Sequence, residues 1–309
     1  MVCTREIEYA PFGKCIEMEN GAARLVATLD FGPRIISFSA HGGKNVFAEM
    51  PDSDIASNHA DAFRVFGDRG IWHIRGGHRL WTSPEAMPRS FFPDNAPVSY
   101  QVEGNTLTLV GEEQCWVGLA PKIEITMDEK DAKVTVVHTV QNIGAWPITF
   151  APWAISVMAS GGTLYLPQNT KDCGRLHNRT LTFWSYTDVT DARFSLGKST
   201  IRLAQSKEAA TSFKLGISCE RGCGAYVNDG TMFVKTYVHD QNATYPDGGV
   251  SLEAYTDADM LEFETLAPLR EVAPGEEATH AETWYLCENA LEPKTEEEIE
   301  KMLSPFCKA

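Results

Sequence analysis

The sequence predicts an all-β fold: a large antiparallel β-sandwich with a C-terminal helix. Three observations carry that expectation. Apolar and polar residues alternate with period 2 through many short segments rich in β-branched residues. Glycine-centred turn signals separate these segments at short intervals. Windows with the 3.6-residue period of a helix are few, which argues against βαβ units.

In chain order, the first strands are Ala23-Arg-Leu-Val-Ala-Thr-Leu-Asp30 and Arg34-Ile-Ile-Ser-Phe-Ser39. Val98-Ser-Tyr-Gln-Val102, Thr106-Leu-Thr-Leu-Val110, Lys122-Ile-Glu-Ile-Thr-Met127 and Lys133-Val-Thr-Val-Val-His-Thr-Val140 repeat the pattern. Between and beyond them stand Asn20-Gly21, Gly32-Pro33, Gly42-Gly43, Gly104-Asn105, Gly161-Gly162, Asp229-Gly230 and Gly248-Gly249. Residues 52–70 are irregular and polar, as expected of a long loop or short helix over one rim. Near the end, Thr295 and Glu298 form a capping box, and Ile299, Met302 and Leu303 make one apolar stripe. Pro305 ends that helix, which is expected to span about 295–304 and to pack on the sandwich. With no repeat or linker in view, residues 1–309 are expected to form one domain.

Composition narrows the function classes. The net charge of −15 opposes nucleic acid and anionic membrane, and no basic cluster offsets it. No stretch reaches the roughly 18 apolar residues of a membrane span. The opening Met1-Val-Cys-Thr-Arg-Glu-Ile-Glu8 has no apolar signal region, so a cytoplasmic location is expected, with the eight cysteines reduced. Cys219 and Cys223 have no second Cys or His pair at zinc spacing, so no metal is expected. Phosphate loops, nucleophile elbows and dinucleotide fingerprints are missing, and no organic cofactor is called for.

Two distant stretches carry the chemistry. One is Gly76-Gly-His-Arg-Leu-Trp81 running on to Glu85; the other is Leu261-Glu-Phe-Glu-Thr-Leu266. Charged groups beside indoles suit a sugar, whose C–H face lies on the ring while carboxylate and guanidinium take its hydroxyls. On a strand, Glu262 and Glu264 share the face opposite Leu261 and Phe263. A carboxylate there can act as base in ring opening, with an acid to protonate the ring oxygen. The plainer readings are a solvent-facing pair of carboxylates and an Arg79–Glu85 ion pair over Trp81. Asp247, in Tyr245-Pro-Asp-Gly-Gly249, could bind a hydroxyl or simply serve the turn. His138 reads as a hydrogen-bonded core histidine.

Longer patterns resemble galactose mutarotase-like (aldose 1-epimerase-like) proteins. They are Asn20-Gly21, Leu29-Asp-Phe-Gly-Pro-Arg-Ile-Ile-Ser-Phe38, Asn142-Ile-Gly-Ala-Trp-Pro-Ile-Thr-Phe-Ala-Pro-Trp153, and Glu264-Thr265 with Pro274-Gly-Glu276. The resemblance touches most of residues 15–287 and lies nearest an uncharacterised branch of that superfamily. It implies a large antiparallel β-sandwich whose concave face binds sugar. Residue by residue, it implies that Glu264 is the general base and Arg79 a ligand of substrate hydroxyls. The general-acid histidine of those enzymes falls on residues 150–155, where this chain has Trp153; His78 is the candidate replacement. Trp81, Trp153, Asp247 and Glu85 complete the expected substrate site. The expected partner is a small-molecule sugar or short saccharide, with the oligomeric state left open. The function so read is anomer interconversion of a free aldose. The alternatives are a carbohydrate-binding protein without turnover, or a carbohydrate-processing enzyme of another reaction type.

Overall fold

The computed structural model describes residues 1–54, 60–172 and 174–308. Among them, two large antiparallel sheets face each other. The first runs in the order Cys3–Glu8, Lys14–Glu19, Ala23–Thr28, Arg34–Ala40, His73–Ser83, Ile148–Met158, Leu261–Leu266, Leu252–Thr256, Phe213–Ile217 and Leu181–Phe183. Glu49–Asp54 pairs beside His73–Ser83, and Arg270–Val272 beside Ile148–Met158. The second sheet runs Phe194–Leu196, Thr200–Ala204, Thr163–Pro167, Cys223–Asn228, Thr231–Tyr237, Glu277–Glu288, Lys133–Asn142, Leu119–Met127, Thr106–Val110 and Ser99–Glu103. The expected antiparallel β-sandwich is therefore the observed fold.

The alternation seen in sequence translates directly into burial. Along Leu119–Met127 every second side chain is buried and those between are half-exposed, because one face meets the core and the other meets water. At the middle of the first sheet this rule fails. All six residues of Leu261–Leu266 are buried, so both faces of that strand are covered. One face meets the second sheet through Phe38, Phe47, Phe233, Phe263 and Trp284, whose rings pack edge-on or tilted. On the other face Leu266 packs with Trp153, Ile155 and Trp81, and Val157, paired with Glu262, joins a second aromatic cluster of Phe63, Phe66, Trp72, Phe91 and Phe92. Part of that cover comes from the irregular stretch, where Asp61–Arg69 forms 3-10 turns; residues 55–59 lie outside the described residues.

A polar seam crosses the core between the sheets. Lys235 and Glu282 are both fully buried, with Nζ 3.0 Å from Oε1. Lys235 also donates to the carbonyl of Phe263 at 3.0 Å, and the Trp284 indole donates to Glu282 Oε2 at 2.8 Å. Thr265 donates to Glu282 at 2.5 Å and meets His280 Nε2 at 2.6 Å. His138 Nδ1 donates to the carbonyl of His280 at 3.0 Å, which leaves its Nε2 to accept from His78 Nε2 at 2.7 Å. His78 Nδ1 then accepts from the Ser156 hydroxyl at 2.8 Å. Burial of a polar group without such a partner costs about 1–3 kcal/mol, and here both ring nitrogens of His78 and of His138 have one.

The C-terminal helix spans Glu296–Leu303 and is capped as expected, with the Thr295 side chain accepting from the Glu298 backbone at 3.2 Å. Ile299 and Leu303 pack on Tyr165, Ala225, Val227 and Val234, on the outer face of the second sheet. That docking overturns one expectation about the thiols. Cys307, just past the helix, is bonded to Cys223 on the strand below, with Cα atoms 5.3 Å apart. The pairing spans 84 residues and follows from where the helix lies, which no spacing in the sequence reveals. It also removes Cys223 from any Cys219–Cys223 metal pair.

The buried histidines make stability depend on pH with a definite sign. Burial holds His78, His138 and His280 below the ordinary histidine value, His280 at about 3. Below about pH 6.5 the unfolded chain binds protons that the folded chain refuses, so stability falls with acid. His280→Gln is expected to reduce the slope of unfolding free energy between pH 6.5 and 5 by about 1 kcal/mol per pH unit. Urea titrations across that range measure it, and an unchanged slope would show that His280 is charged in the folded protein.

Candidate functional site

Strand register assembles the site. Arg79 on His73–Ser83 stands opposite Ile155, Ile155 opposite Glu264, and Glu264 opposite Glu253. One step along, Glu262 stands opposite Tyr255, and Tyr255 opposite Lys214. One step the other way, Trp81 faces Trp153. Since side chains alternate between faces, all of these project from the side of the sheet away from the second sheet.

The charged groups there are nearly closed to water. Relative exposure is 4% for Arg79, 5% for Lys214, 9% for Glu262 and 0% for both Glu253 and Glu264, so their charges must be balanced locally. Arg79 Nη2 donates to Glu262 Oε1 at 2.9 Å. Lys214 Nζ lies 2.9 Å from Glu253 Oε2 and 3.3 Å from Glu264 Oε2. The Trp153 indole N–H donates to that same Glu264 oxygen at 2.8 Å. Aromatic faces complete the cage: the guanidinium of Arg79 sits 4.5 Å from the ring centre of Trp81, and the Lys214 ammonium lies 4.8 Å from Trp153 and 4.7 Å from Trp184.

Several polar atoms in this enclosure have no hydrogen-bond partner: Arg79 Nε and Nη1, Glu264 Oε1 and Glu253 Oε1. Burial pushes the Glu264 carboxyl up, and Glu262 adds to the push while Lys214 and Arg79 oppose it. Glu253 is pushed well up by burial and by Glu264, against Lys214. Burial would lower Lys214, but Glu264 and Glu253 outweigh it and hold the ammonium charged. At the rim, partial loss of solvent raises the Glu85 carboxyl, with Glu262 and Asp247 adding to the effect against Lys214 and Arg79. Asp247 accepts from the Ser83 hydroxyl at 3.1 Å and sits in a left-handed turn at φ 52°. Burial raises the Tyr186 phenol to about 12, on the same rim.

No family model matches this chain, and no curated protein matches it. Solved structures do. A galactose mutarotase-like protein from Lactobacillus casei superposes with a TM-score of 0.54 at 10% identity, covering 88% of this chain and 100% of that one. The chain has the galactose mutarotase-like fold. A Klebsiella pneumoniae structure whose name proposes an aldose 1-epimerase superposes at a TM-score of 0.59 and 11% identity, over 94% of this chain and 82% of that one. A TPR-domain containing protein from Parabacteroides distasonis also superposes at 0.59, with 15% identity over 91% of this chain. This chain spans 49% of that longer protein.

Within the mutarotase-like fold, the structure brings Glu264, Arg79, Trp81 and Trp153 to one face, with Glu85 and Asp247 at its rim. It separates His78 from them. His78 neighbours Arg79 on one strand and so points the opposite way, fully buried in the inter-sheet seam. Burial, with Lys235 and His138 nearby, holds its imidazole neutral at pH 7. The plainer reading, an Arg79–Glu85 ion pair, is not the one observed: Arg79 pairs with Glu262.

Lys214 and Glu253 escaped the sequence reading. Their signal was present: Phe213-Lys-Leu-Gly-Ile217 and Leu252-Glu-Ala-Tyr-Thr256 each place a lone charge within an apolar strand.

The described residues that could group around a metal are His78, His138 and Glu282, whose ligand atoms lie within 4.8 Å of one another. Their donors and acceptors are already matched, and the Lys235 ammonium occupies Glu282, so no cation is assigned there. No helix among the described residues is long and apolar enough to cross a membrane.

Removing one charge should expose how the others are balanced. Lys214→Met leaves Glu253 and Glu264 facing each other and is expected to cost about 3–5 kcal/mol in chemical denaturation. Adding Glu253→Gln and Glu264→Gln to that variant should recover most of the loss. A triple variant no more stable than the single one would show that Lys214 contributes mainly through packing.

Proposed function

We propose that this face binds a free aldose or short saccharide and interconverts its anomers by proton transfer. The observation that carries the reading is the set of buried, partnerless polar atoms on one wall: Glu264 Oε1 and Arg79 Nε and Nη1. Such atoms are costly unless a ligand meets them, and a carboxylate beside two guanidinium N–H donors matches a polyhydroxylated ring. Glu264 takes the proton from the anomeric hydroxyl, and the bond between C1 and the ring oxygen breaks as that oxygen is protonated. The open-chain aldehyde rotates about C1–C2 and closes again with both protons returned. There is no net redox change, so the chemistry asks for no organic cofactor.

The other residues take roles that fit their places. Arg79 holds hydroxyls while Glu262 keeps its guanidinium oriented. Trp81, half-exposed, offers the stacking face, whereas Trp153 is 3% exposed and positions the base through its indole N–H. Glu85 and Asp247 receive hydroxyls at the mouth. A hydrolase is less well supported, since Glu262 and Glu264 stand on one wall about 6.5–7 Å apart along a strand and do not flank a glycosidic bond.

A second reading, carbohydrate binding without turnover, is favoured by the way Arg79 and Lys214 are already engaged by carboxylates in the free chain. NMR exchange between α and β anomers across a panel of aldoses decides between the two. The expected result is accelerated exchange for at least one sugar, reduced about 10²–10⁴-fold in Glu264→Gln with the fold intact. If no sugar exchanges faster with the protein than without it, yet one raises its melting temperature, the binding reading replaces the catalytic one.

A further inference from the structure

We propose that Glu253 and Glu264 hold a single proton between them, and that Glu253 is the acid that protonates the sugar's ring oxygen while Glu264 takes the proton from O1. This rests on the anomer-interconverting reading above and supplies the donor which that reading lacks.

The geometry carries it. Glu253 lies directly opposite Glu264 on the adjacent antiparallel strand, where Cβ atoms stand about 4.5–5.5 Å apart. Both side chains are fully buried. A single ammonium, Lys214, touches both, because Arg79 is engaged by Glu262. Two anions against one cation, shut away from water, leave one negative charge uncompensated, and a proton on one carboxyl removes it.

Hydrogen bonding decides which carboxyl carries the proton. Glu264 Oε2 accepts from the Trp153 indole as well as from Lys214, which favours the anion. Glu253 meets only the ammonium at Oε2, and its Oε1 has no donor. The neutral acid is therefore Glu253, and its strongly raised proton affinity agrees. Lys214 is a poor donor by comparison, since the negative charge of Glu264 and Glu253 makes the ammonium hold its proton more tightly. Trp153 then has a clear part at the position where the resembled enzymes carry their acid histidine. It fixes the base, and the acid has moved one strand beyond the base, on the side away from Trp153.

Charge balance supports the same cycle. Before reaction the pair is Glu253 carboxylic acid and Glu264 carboxylate; after ring opening it is Glu253 carboxylate and Glu264 carboxylic acid. One proton leaves the pair for the ring oxygen as another arrives from O1. The two carboxyls and Lys214 sum to zero at both ends, so the buried site never holds a net charge.

Two measurements test the proposal. Infrared spectra of the sugar-free protein at pH 7, with hydrogen–deuterium exchange, should show a carboxylic-acid C=O band that is lost in Glu253→Gln and equally in Glu264→Gln. Removing either partner leaves the other alone with Lys214 and therefore ionised. A band that survives in both variants, or is missing from the wild-type protein, overturns the shared proton. Anomer exchange should then fall about 10²–10⁴-fold in Glu253→Gln with KM little changed, and lose the alkaline limb of its pH profile. Glu253→Asp should restore part of the rate. A Glu253→Gln variant that keeps both rate and pH profile overturns the donor role. If the wild-type protein exchanges no sugar, that role falls with the proposed function, while the infrared result still decides the shared proton on its own.

Discussion

Charge neutrality without water is the constraint on which this structure turns. The sheet face that carries Arg79, Lys214, Glu253, Glu262 and Glu264 is roofed by aromatic residues, so every charge must be answered by another protein group. Arg79 answers Glu262, and Lys214 lies between Glu253 and Glu264 and can answer one of them. These pairs link segments as far apart as residues 79 and 262, and they form only if the strand order of the first sheet is correct. Register, charge balance and site geometry are thus one condition seen three ways.

The same strand meets the constraint on its other side. Phe263 and Thr265 point into the core, where Thr265 donates to Glu282 and the carbonyl of Phe263 accepts from Lys235. The Leu261–Leu266 strand therefore has a hydrogen-bonded polar seam behind it and a cluster of paired charges in front. Buried ion pairs are weak contributors to net stability and are often matched by well-packed apolar residues. Apolar packing around Trp284, Phe233 and Phe38 supplies the larger share of the folding free energy. A charged cluster kept at this position, with oxygen and nitrogen atoms left unpartnered, is the feature on which the proposed ligand site rests.

How much of this was legible varies with the residue. Glu264 and Arg79 stood out because each is a charge close to an aromatic residue in a short, unusual string. His78 shows how reading by proximity fails: it precedes Arg79 directly, and period 2 on a strand sends adjacent side chains to opposite faces. Applied strictly, that rule would have placed His78 with His138 in the core from the start. Lys214 and Glu253 are single charges in ordinary strands, and nothing local says that their strands are neighbours. Cys223 and Cys307 are likewise ordinary until the C-terminal helix docks.

The order of residues along the chain determined the local geometry by itself: which segments are extended, which faces of them are apolar, where turns fall, and where the last helix begins. Those features depend on backbone sterics, alternation and capping, all of which act over a few residues. Only the tertiary structure decided that a lysine from one strand would stand between glutamates from two others, that the candidate acid histidine would be sealed behind the site, and that a thiol near the end would meet one 84 residues earlier. Strand pairing joins distant segments through a backbone pattern that is nearly blind to side chains, so the partners of each charge emerge only when the sheets assemble.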